Sequence, residues 1–181
     1  MAQGGERRGI RRVVTGHDAA GKAVVLFDGA APNVKVREVG GFVSTLMWVL
    51  GEAPARHAAE DRGSVAVGTA PPPKGAIFRI VEFPPVGGDF DAAAHERMVA
   101  AMGLAHQGEG GIAPRHPFMH RTRSVDFAVV LEGEIDMLLD DSEVHVRAGE
   151  VIVQQGTNHA WVNRGTAPCR IAFVLIDAEA P

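Results

Sequence analysis

The chain of 181 residues has little of several things that decide the class of a protein. It contains one cysteine, Cys169, so no disulfide can form within the chain, and a reducing, cytoplasmic location is expected. This cysteine lies beside an apolar run, which predicts an inert buried thiol rather than a nucleophile. Tyrosine is absent altogether, which excludes acid–base schemes that rely on a phenol.

A strong charge of one sign and long hydrophobic runs are also lacking. The net charge of −4 gives no electrostatic reason to expect nucleic acid as a partner. The longest apolar candidate, residues 42–50, is far shorter than the roughly 18 residues that span a bilayer, so no membrane partner is expected. The basic N-terminus has no apolar segment behind it, unlike a secretory signal. The short signatures of serine hydrolases and of phosphate-binding loops are missing as well.

Short strand-like segments separated by turns fill most of the chain. One short helix is predicted over 92–102, with Asp91 as its N-cap. The regular spacing of strands and turns predicts an all-β sandwich or closed barrel. We expect an N-terminal β-arm and linker over 1–75 and a barrel over 76–181, with its motif core at 116–177. The predicted strands are a hairpin of 13–15 and 22–27, followed by 42–50, 76–83, 116–122, 126–131, 134–139, 143–147, 150–155, 159–164 and 169–177.

Two histidines and one carboxylate stand in apolar, strand-like sequence between residues 119 and 163. Because residues two apart on a strand share a face, His120 and Thr122 should point the same way. If the neighbouring segments pair, His120 and Asp126 could meet in the interior, and His159 would arrive from a third strand. Two imidazoles and a carboxylate leave open positions on a first-row metal, as in non-haem iron sites, and a zinc site is an alternative.

Each of these residues also has a purely structural interpretation. The two histidines could hydrogen-bond within the mouth of a barrel, and the carboxylate could anchor the backbone or pair with Arg121 or Arg123. Trp161 suits a core or a pocket wall, and His116, next to a proline, suits either a pocket or a loop. Our predictions are catalytic or metal-binding roles for His120, Asp126 and His159, and pocket positions for Thr122, Trp161 and His116.

The same stretch resembles the two motifs of the cupin superfamily, which are small jelly-roll barrels that often hold one metal ion. The first motif has His-x-His, then a Glu, and ends in a Gly, which Gly133 matches. The second motif has Gly, Pro-x-Gly, His and Asn, matched here by Gly149, Gly156, His159 and Asn163. The sequence around these motif residues, Met-His-Arg-Thr and Gln-Gly-Thr-Asn-His-Ala-Trp, resembles that of a subgroup described as cupin-domain oxidoreductases.

The chain departs from the usual cupin motifs at three positions. Thr122 stands at the second histidine, Asp126 at the glutamate and Gln154 at the proline. A usual site has three histidines and one glutamate, whereas this chain offers at most His120, Asp126 and His159. Aspartate is one methylene shorter than glutamate, so the side chain of Asp126 extends less far toward a metal that is positioned for glutamate.

The resemblance implies a homodimer whose N-terminal arm crosses to the partner and covers apolar sheet. It also implies a divalent metal (iron, zinc, manganese or nickel) held by His120, Asp126 and His159. The expected function is an oxidoreductase-like enzyme acting on a small oxygenated organic molecule. Two alternatives remain: a metal-free small-molecule binding or sensor protein, and a metal-free acid–base isomerase or dehydratase.

Overall fold

The computed structural model describes residues 9–37, 40–86, 115–116 and 118–179. Within these ranges the regular structure is entirely strand, which confirms the all-β prediction, and no helix there could span a membrane. The helix predicted over 92–102 lies outside the described residues. The strands are β1 Arg11–His17, β2 Ala23–Ala30, β3 Asn33–Val36, β4 Val43–Leu50, β5 Ala76–Phe83, β6 Ser124–Glu132, β7 Glu134–Leu138, β8 Glu143–Arg147, β9 Val151–Gln155, β10 Ala160–Val162 and β11 Cys169–Asp177.

These strands form a hairpin and two larger sheets. β1 pairs with β2, and the larger sheets have the orders β3-β4-β5-β11-β6-β9 and β10-β7-β8. β3 and β4 lie in the stretch predicted as an arm, yet they are hydrogen-bonded into the six-stranded sheet next to β5. The proposed division at residue 76 remains a prediction. β3 was not predicted from the sequence because it has only four residues, and all of them except Asn33 are exposed.

The core lies between the six-stranded and three-stranded sheets. Ile77 and Ile171 from one sheet and Ile135 from the other are almost completely buried, and all three belong to one hydrophobic cluster. Along β6 alternate residues are buried, as expected for a strand that turns one face to the core. Cys169 is also buried there, and burial raises the pKa of its thiol to about 11, in agreement with the predicted inert cysteine.

The outer face of the six-stranded sheet is apolar and open in the single chain. Phe78, Val174, Phe127 and Val153 follow one another across β5, β11, β6 and β9. Phe127 is 44% exposed and Val153 is 56% exposed. Such a contiguous apolar face is typical of an interaction surface. The predicted homodimer would cover this apolar face; the homodimer itself remains a prediction.

The hairpin is tied to the barrel by Arg12. Its guanidinium donates two hydrogen bonds to Asp61, at 2.7 and 2.6 Å, and one to the carbonyl of Met47 at 3.0 Å. The same group lies 5.9 Å from the ring centroid of Trp48. The Arg12 side chain is 10% exposed, so this ion pair is largely shielded from water.

The variant Arg12→Ala is expected to loosen the hairpin. Removing one partner of a shielded ion pair leaves Asp61 uncompensated, and we expect a loss of about 2 kcal/mol of local stability. Amide hydrogen exchange over residues 11–30 should then speed up. Arg11 is the matched control, because its pair with Asp28 is exposed and Arg11→Ala should change exchange little. Equal exchange in both variants would contradict a tie through Arg12.

Candidate functional site

An aromatic cavity opens between the two larger sheets. Its volume is about 130 Å³, which suits one small organic ring or a few water molecules. Five aromatic side chains form much of its wall, and polar groups enter from several strands. The lining residues are Arg37, Phe42, Ser44, Thr69, Arg79, Val81, Phe83, Phe118, His120, Thr122, Asp126, His159, Trp161, Phe173 and Leu175.

His120 and His159 are paired directly in this cavity. Their backbones form an isolated antiparallel bridge with two 2.9 Å hydrogen bonds, and their rings are 4.5 Å apart between centroids. His120 Nδ1 donates to the Phe118 carbonyl at 2.8 Å, and His159 Nδ1 donates to the Thr157 carbonyl at 3.0 Å. Because a carbonyl only accepts, both protons are on Nδ1 and both Nε2 lone pairs are free. The structure therefore brings together the two histidines predicted from sequence.

Both imidazoles are held neutral. Burial, with the neighbouring His120 acting in the same direction, lowers the pKa of His159 to about 3, while the hydrogen bond to Thr157 opposes the shift. Burial also lowers the pKa of His120, against the opposing hydrogen bond to Phe118. At neutral pH the cavity thus presents two uncharged nitrogen acceptors, which can take a proton or a metal ion.

Asp126 reaches the same cavity from β6. It is buried, and its Oδ1 has no hydrogen-bond partner among the described residues. Burial raises the pKa of the carboxyl to about 6, although Ser124 and the positive charge of Arg79 both act to lower it. The carboxyl is therefore placed to gain or lose a proton near neutral pH.

Gln154 adds a second unpartnered acceptor beside this carboxyl. It is directly opposite Asp126 in the pairing of β6 with β9 and is also buried. Its Nε2 donates to the Thr157 carbonyl at 3.0 Å, which orients the amide, and its Oε1 has no partner among the described residues. Two buried acceptors on directly paired residues call for a hydrogen-bond donor, and a proton on Asp126 would be such a donor.

The other residues predicted for the pocket fall into two groups. Thr122 and Trp161 line the cavity; Thr122 Oγ1 accepts a 2.8 Å hydrogen bond from Ser124. The Trp161 ring packs edge-on against His159 at 6.1 Å. His116 is not part of the lining: its Nδ1 accepts from the Phe118 amide at 3.2 Å, and burial lowers its pKa.

Asn163, a motif residue, acts on the backbone rather than in the cavity. Its Nδ2 donates to the Phe83 and Ala167 carbonyls, both at 2.9 Å, and its Oδ1 accepts from the Gly165 amide at 2.9 Å. Those bonds fix the turn that follows β10.

Arg79 and Arg37 are functional candidates that were not among the predicted site residues. Both line the cavity, Arg79 from the middle of β5 and Arg37 just after β3. A signal for Arg79 was present, since it alternates with Ile77 and Val81 on the inward face of an otherwise apolar strand. Arg37 gave no such signal, because β3 itself was not recognised.

The donor set suits a metal only in part. Two imidazole Nε2 atoms with the opposite nitrogens locked onto carbonyls are a typical pair of metal ligands. Among the described residues, however, no three histidine, cysteine, aspartate or glutamate side chains are grouped closely enough to hold a metal ion. A metal at His120 and His159 would therefore depend on water or a substrate oxygen for its other ligands, and Asp126 stands apart.

Comparison with known proteins shows which family this chain resembles. The model of the cupin domain family matches residues 103–176. The cupin-domain-containing oxidoreductase fogC of Aspergillus ruber is 28% identical over 94% of this chain and 75% of its own length. Phomopsin biosynthesis cluster protein C' of Diaporthe leptostromiformis is 52% identical, but only over 34% of this chain and 33% of its own length. The match thus spans about a third of that relative.

Among solved structures, a cupin 2 conserved barrel domain protein from Salinispora arenicola covers 80% of this chain and 82% of its own, at 12% identity and a TM-score of 0.41. The family match covers both histidines and Asp126, and the oxidoreductase match runs almost the whole length of the chain. The chain is therefore similar to the cupin domain family over residues 103–176 and resembles cupin-domain oxidoreductases.

Proposed function

We propose that this protein is an enzyme with an oxidoreductase-like role, which acts on a small oxygenated organic molecule bound in the aromatic cavity. One observation carries the proposal: two neutral imidazoles, each held at Nδ1 by a backbone carbonyl, line the same cavity as Asp126. Perturbed titratable groups gathered in an apolar cavity are typical of active sites. The name of the fogC relative, a cupin-domain-containing oxidoreductase, supports the reaction class.

The residues of the chain have distinct tasks in this proposal. The aromatic walls bind the apolar body of the substrate and exclude water. His120 and His159 accept at Nε2, since their Nδ1 protons are held by the Phe118 and Thr157 carbonyls. Asp126 takes a proton from a substrate hydroxyl or an acidic carbon and returns it. A carboxyl pKa of about 6 leaves roughly a tenth of the groups protonated at pH 7, so both directions of transfer are available.

A divalent metal would be held by the Nε2 atoms of His120 and His159. When bound, it would polarise a substrate oxygen or activate dioxygen. The two imidazoles need no deprotonation to bind it, since burial already keeps them neutral. Metal analysis of the purified protein would identify this ion as iron, zinc, manganese or nickel.

A metal-free acid–base reaction, such as isomerisation or dehydration, is the second candidate. It is favoured by the two unpartnered acceptors, Asp126 Oδ1 and Gln154 Oε1, on directly opposed strands. A proton on Asp126 would satisfy both, and that proton is available for transfer to a substrate. In this scheme the histidine pair accepts a hydroxyl proton of the substrate and orients it.

Metal content of the purified protein separates the two candidates. We expect a near-stoichiometric divalent metal in the wild-type protein and its loss in both His120→Ala and His159→Ala. His145→Ala is the matched control, because this half-exposed histidine pairs with Asp136 at 2.7 Å outside the cavity and should leave the metal in place. Protein that is metal-free and refuses added iron, zinc, manganese and nickel would overturn the metal proposal.

Asp126→Asn then tests the acid–base candidate in such metal-free protein. Loss of turnover by about 100-fold or more, with ligand binding retained, is expected for an acid–base group. Ligand binding without turnover in the wild-type protein would instead identify a binding or sensor protein and would contradict both enzymatic candidates.

A further inference from the structure

Two arginines converge on the cavity wall away from the predicted motifs. Arg79 lies in the middle of β5 and Arg37 follows β3, two strands away in the same sheet. Both line the aromatic cavity, and both also line a smaller adjoining cavity beside Lys35. Two cationic side chains therefore lie together in the wall of the aromatic cavity.

The guanidinium of Arg79 is anchored but incompletely satisfied. Its Nη2 donates to the carbonyls of Gly68 and Thr69 at 2.7 and 3.2 Å, which hold the group in place. Its Nε is buried and has no hydrogen-bond partner among the described residues. A buried donor without a partner is unfavourable, and an acceptor on a ligand would remove that deficit.

Charges of both signs act on Arg79. Burial lowers its pKa to about 10, and the like charge of Arg37 acts in the same direction, while the charge of Asp126 opposes the shift. Asp126 is the one carboxylate that lines the cavity in the described part of the chain, and its Oδ1 has no hydrogen-bond partner there. β11 lies between β5 and β6, so the backbones carrying Arg79 and Asp126 are about 10 Å apart.

We propose that Arg37 and Arg79 form an anion-binding pole of the cavity and that the substrate is a carboxylate attached to an aromatic or similarly flat apolar body. This proposal rests on the proposed function and specifies the substrate class of the same site. A guanidinium fork matches a carboxylate in geometry and charge, and Arg79 has a free N–H to offer. The aromatic walls and the cavity volume of about 130 Å³ suit a single ring as the apolar body.

Binding of benzoate and of benzamide, measured by calorimetry on the full chain, tests the proposal. The two probes share ring and shape but differ in charge. We expect benzoate to bind the wild-type protein with a dissociation constant of about 1 mM or tighter, and benzamide to bind at least tenfold more weakly. Failure of wild-type protein to bind benzoate, or equal binding of both probes, would overturn the proposal.

Two variants locate the effect. Arg79→Gln and Arg37→Gln are each expected to weaken benzoate binding about tenfold or more and to leave benzamide binding unchanged. Using both guards against misfolding of the Arg79→Gln variant, since Arg37 is half-buried and donates no side-chain hydrogen bond to the described residues. The control is Arg170→Gln, which removes a cation paired with Glu82 and Glu132 outside the cavity. Unchanged benzoate binding in both cavity variants would contradict the proposal that Arg37 and Arg79 bind the carboxylate.

The test of the anion-binding pole can fail or succeed independently of the test of the proposed enzymatic function. Benzoate binding requires neither turnover nor a metal, so it can be measured after chelator treatment. Arginine-dependent benzoate binding in a protein without metal or turnover would support the pole while the enzymatic proposal failed. Metal binding or turnover without a preference for benzoate would leave the enzymatic proposal standing and remove the pole.

Discussion

Replacing Asp126 by asparagine is expected to stabilise the protein at neutral pH. The folded state raises the pKa of this carboxyl to about 6, against 3.8 for the ordinary group. Between pH 4 and 6 the folded protein therefore binds the proton more tightly than the unfolded chain, so wild-type stability falls as pH rises through this window. Above pH 6 the full penalty of a buried carboxylate is present, and its Oδ1 has no hydrogen-bond partner among the described residues.

Asparagine removes that penalty because it is neutral at every pH. The pKa difference corresponds to about 3 kcal/mol at pH 7, and we expect a gain of about 2 kcal/mol after the burial of the amide is allowed for. For a chain of this length, the melting temperature should rise by roughly 4–8 °C. Calorimetry on chelator-treated protein at pH 7.5 and pH 4 checks this, and the gain should vanish at the lower pH.

Asp136 provides the matched control for this substitution. Its carboxylate accepts hydrogen bonds from His145 at 2.7 Å and Arg164 at 3.0 Å, so Asp136→Asn should give no gain at pH 7.5. A lower melting temperature for Asp126→Asn at pH 7.5, or a gain that persists at pH 4, would show that the charge of Asp126 is well accommodated. A gain with lost turnover would mark a group kept for function at the expense of stability.

Replacing Gly133 by alanine is expected to destabilise the fold by about 3 kcal/mol. The residue joins β6 to β7 with a φ of +77°, where a side chain is strained. An added Cβ would also come within 2.7 Å of the Pro168 carbonyl oxygen and 3.0 Å of the Cys169 Cα. Both atoms belong to the backbone entering β11, the central strand between β5 and β6, so relief would require moving that strand.

Gly149→Ala separates the two causes. Gly149 has a φ of +90°, and an added Cβ there would meet nothing within 4 Å. Only the backbone strain remains, so a loss of about 1 kcal/mol is expected. Chemical denaturation of both variants measures the difference. Equal losses of unfolding free energy would mean that the contact of the added Cβ with the start of β11 costs nothing. The positive φ alone would then explain the need for glycine at position 133.

Strand content was largely readable from the sequence because alternation and turn residues are local signals. Residues 76–83 and 169–177 were predicted with the bounds that β5 and β11 have. The segment predicted over 116–122 forms no strand in its described residues and only a single bridge at His120. A single bridge depends on which distant chain lies alongside, here that of His159, and no local pattern encodes that neighbour.

The candidate site divides in the same way. The residue types at 120, 126 and 159 and their motif spacing identified the cavity groups before any coordinates. The sequence by itself thus determined an all-β chain with two histidines and a carboxylate in strand-like sequence, since these follow from periodicity, and its motif residues carried the resemblance to cupins. Only the tertiary structure decided that the two histidines pair with each other, that Asp126 stands apart beside Gln154, and that Arg37 and Arg79 share the cavity. Those relations arise from strand order across a sheet, where β11 enters between β5 and β6 from far along the chain.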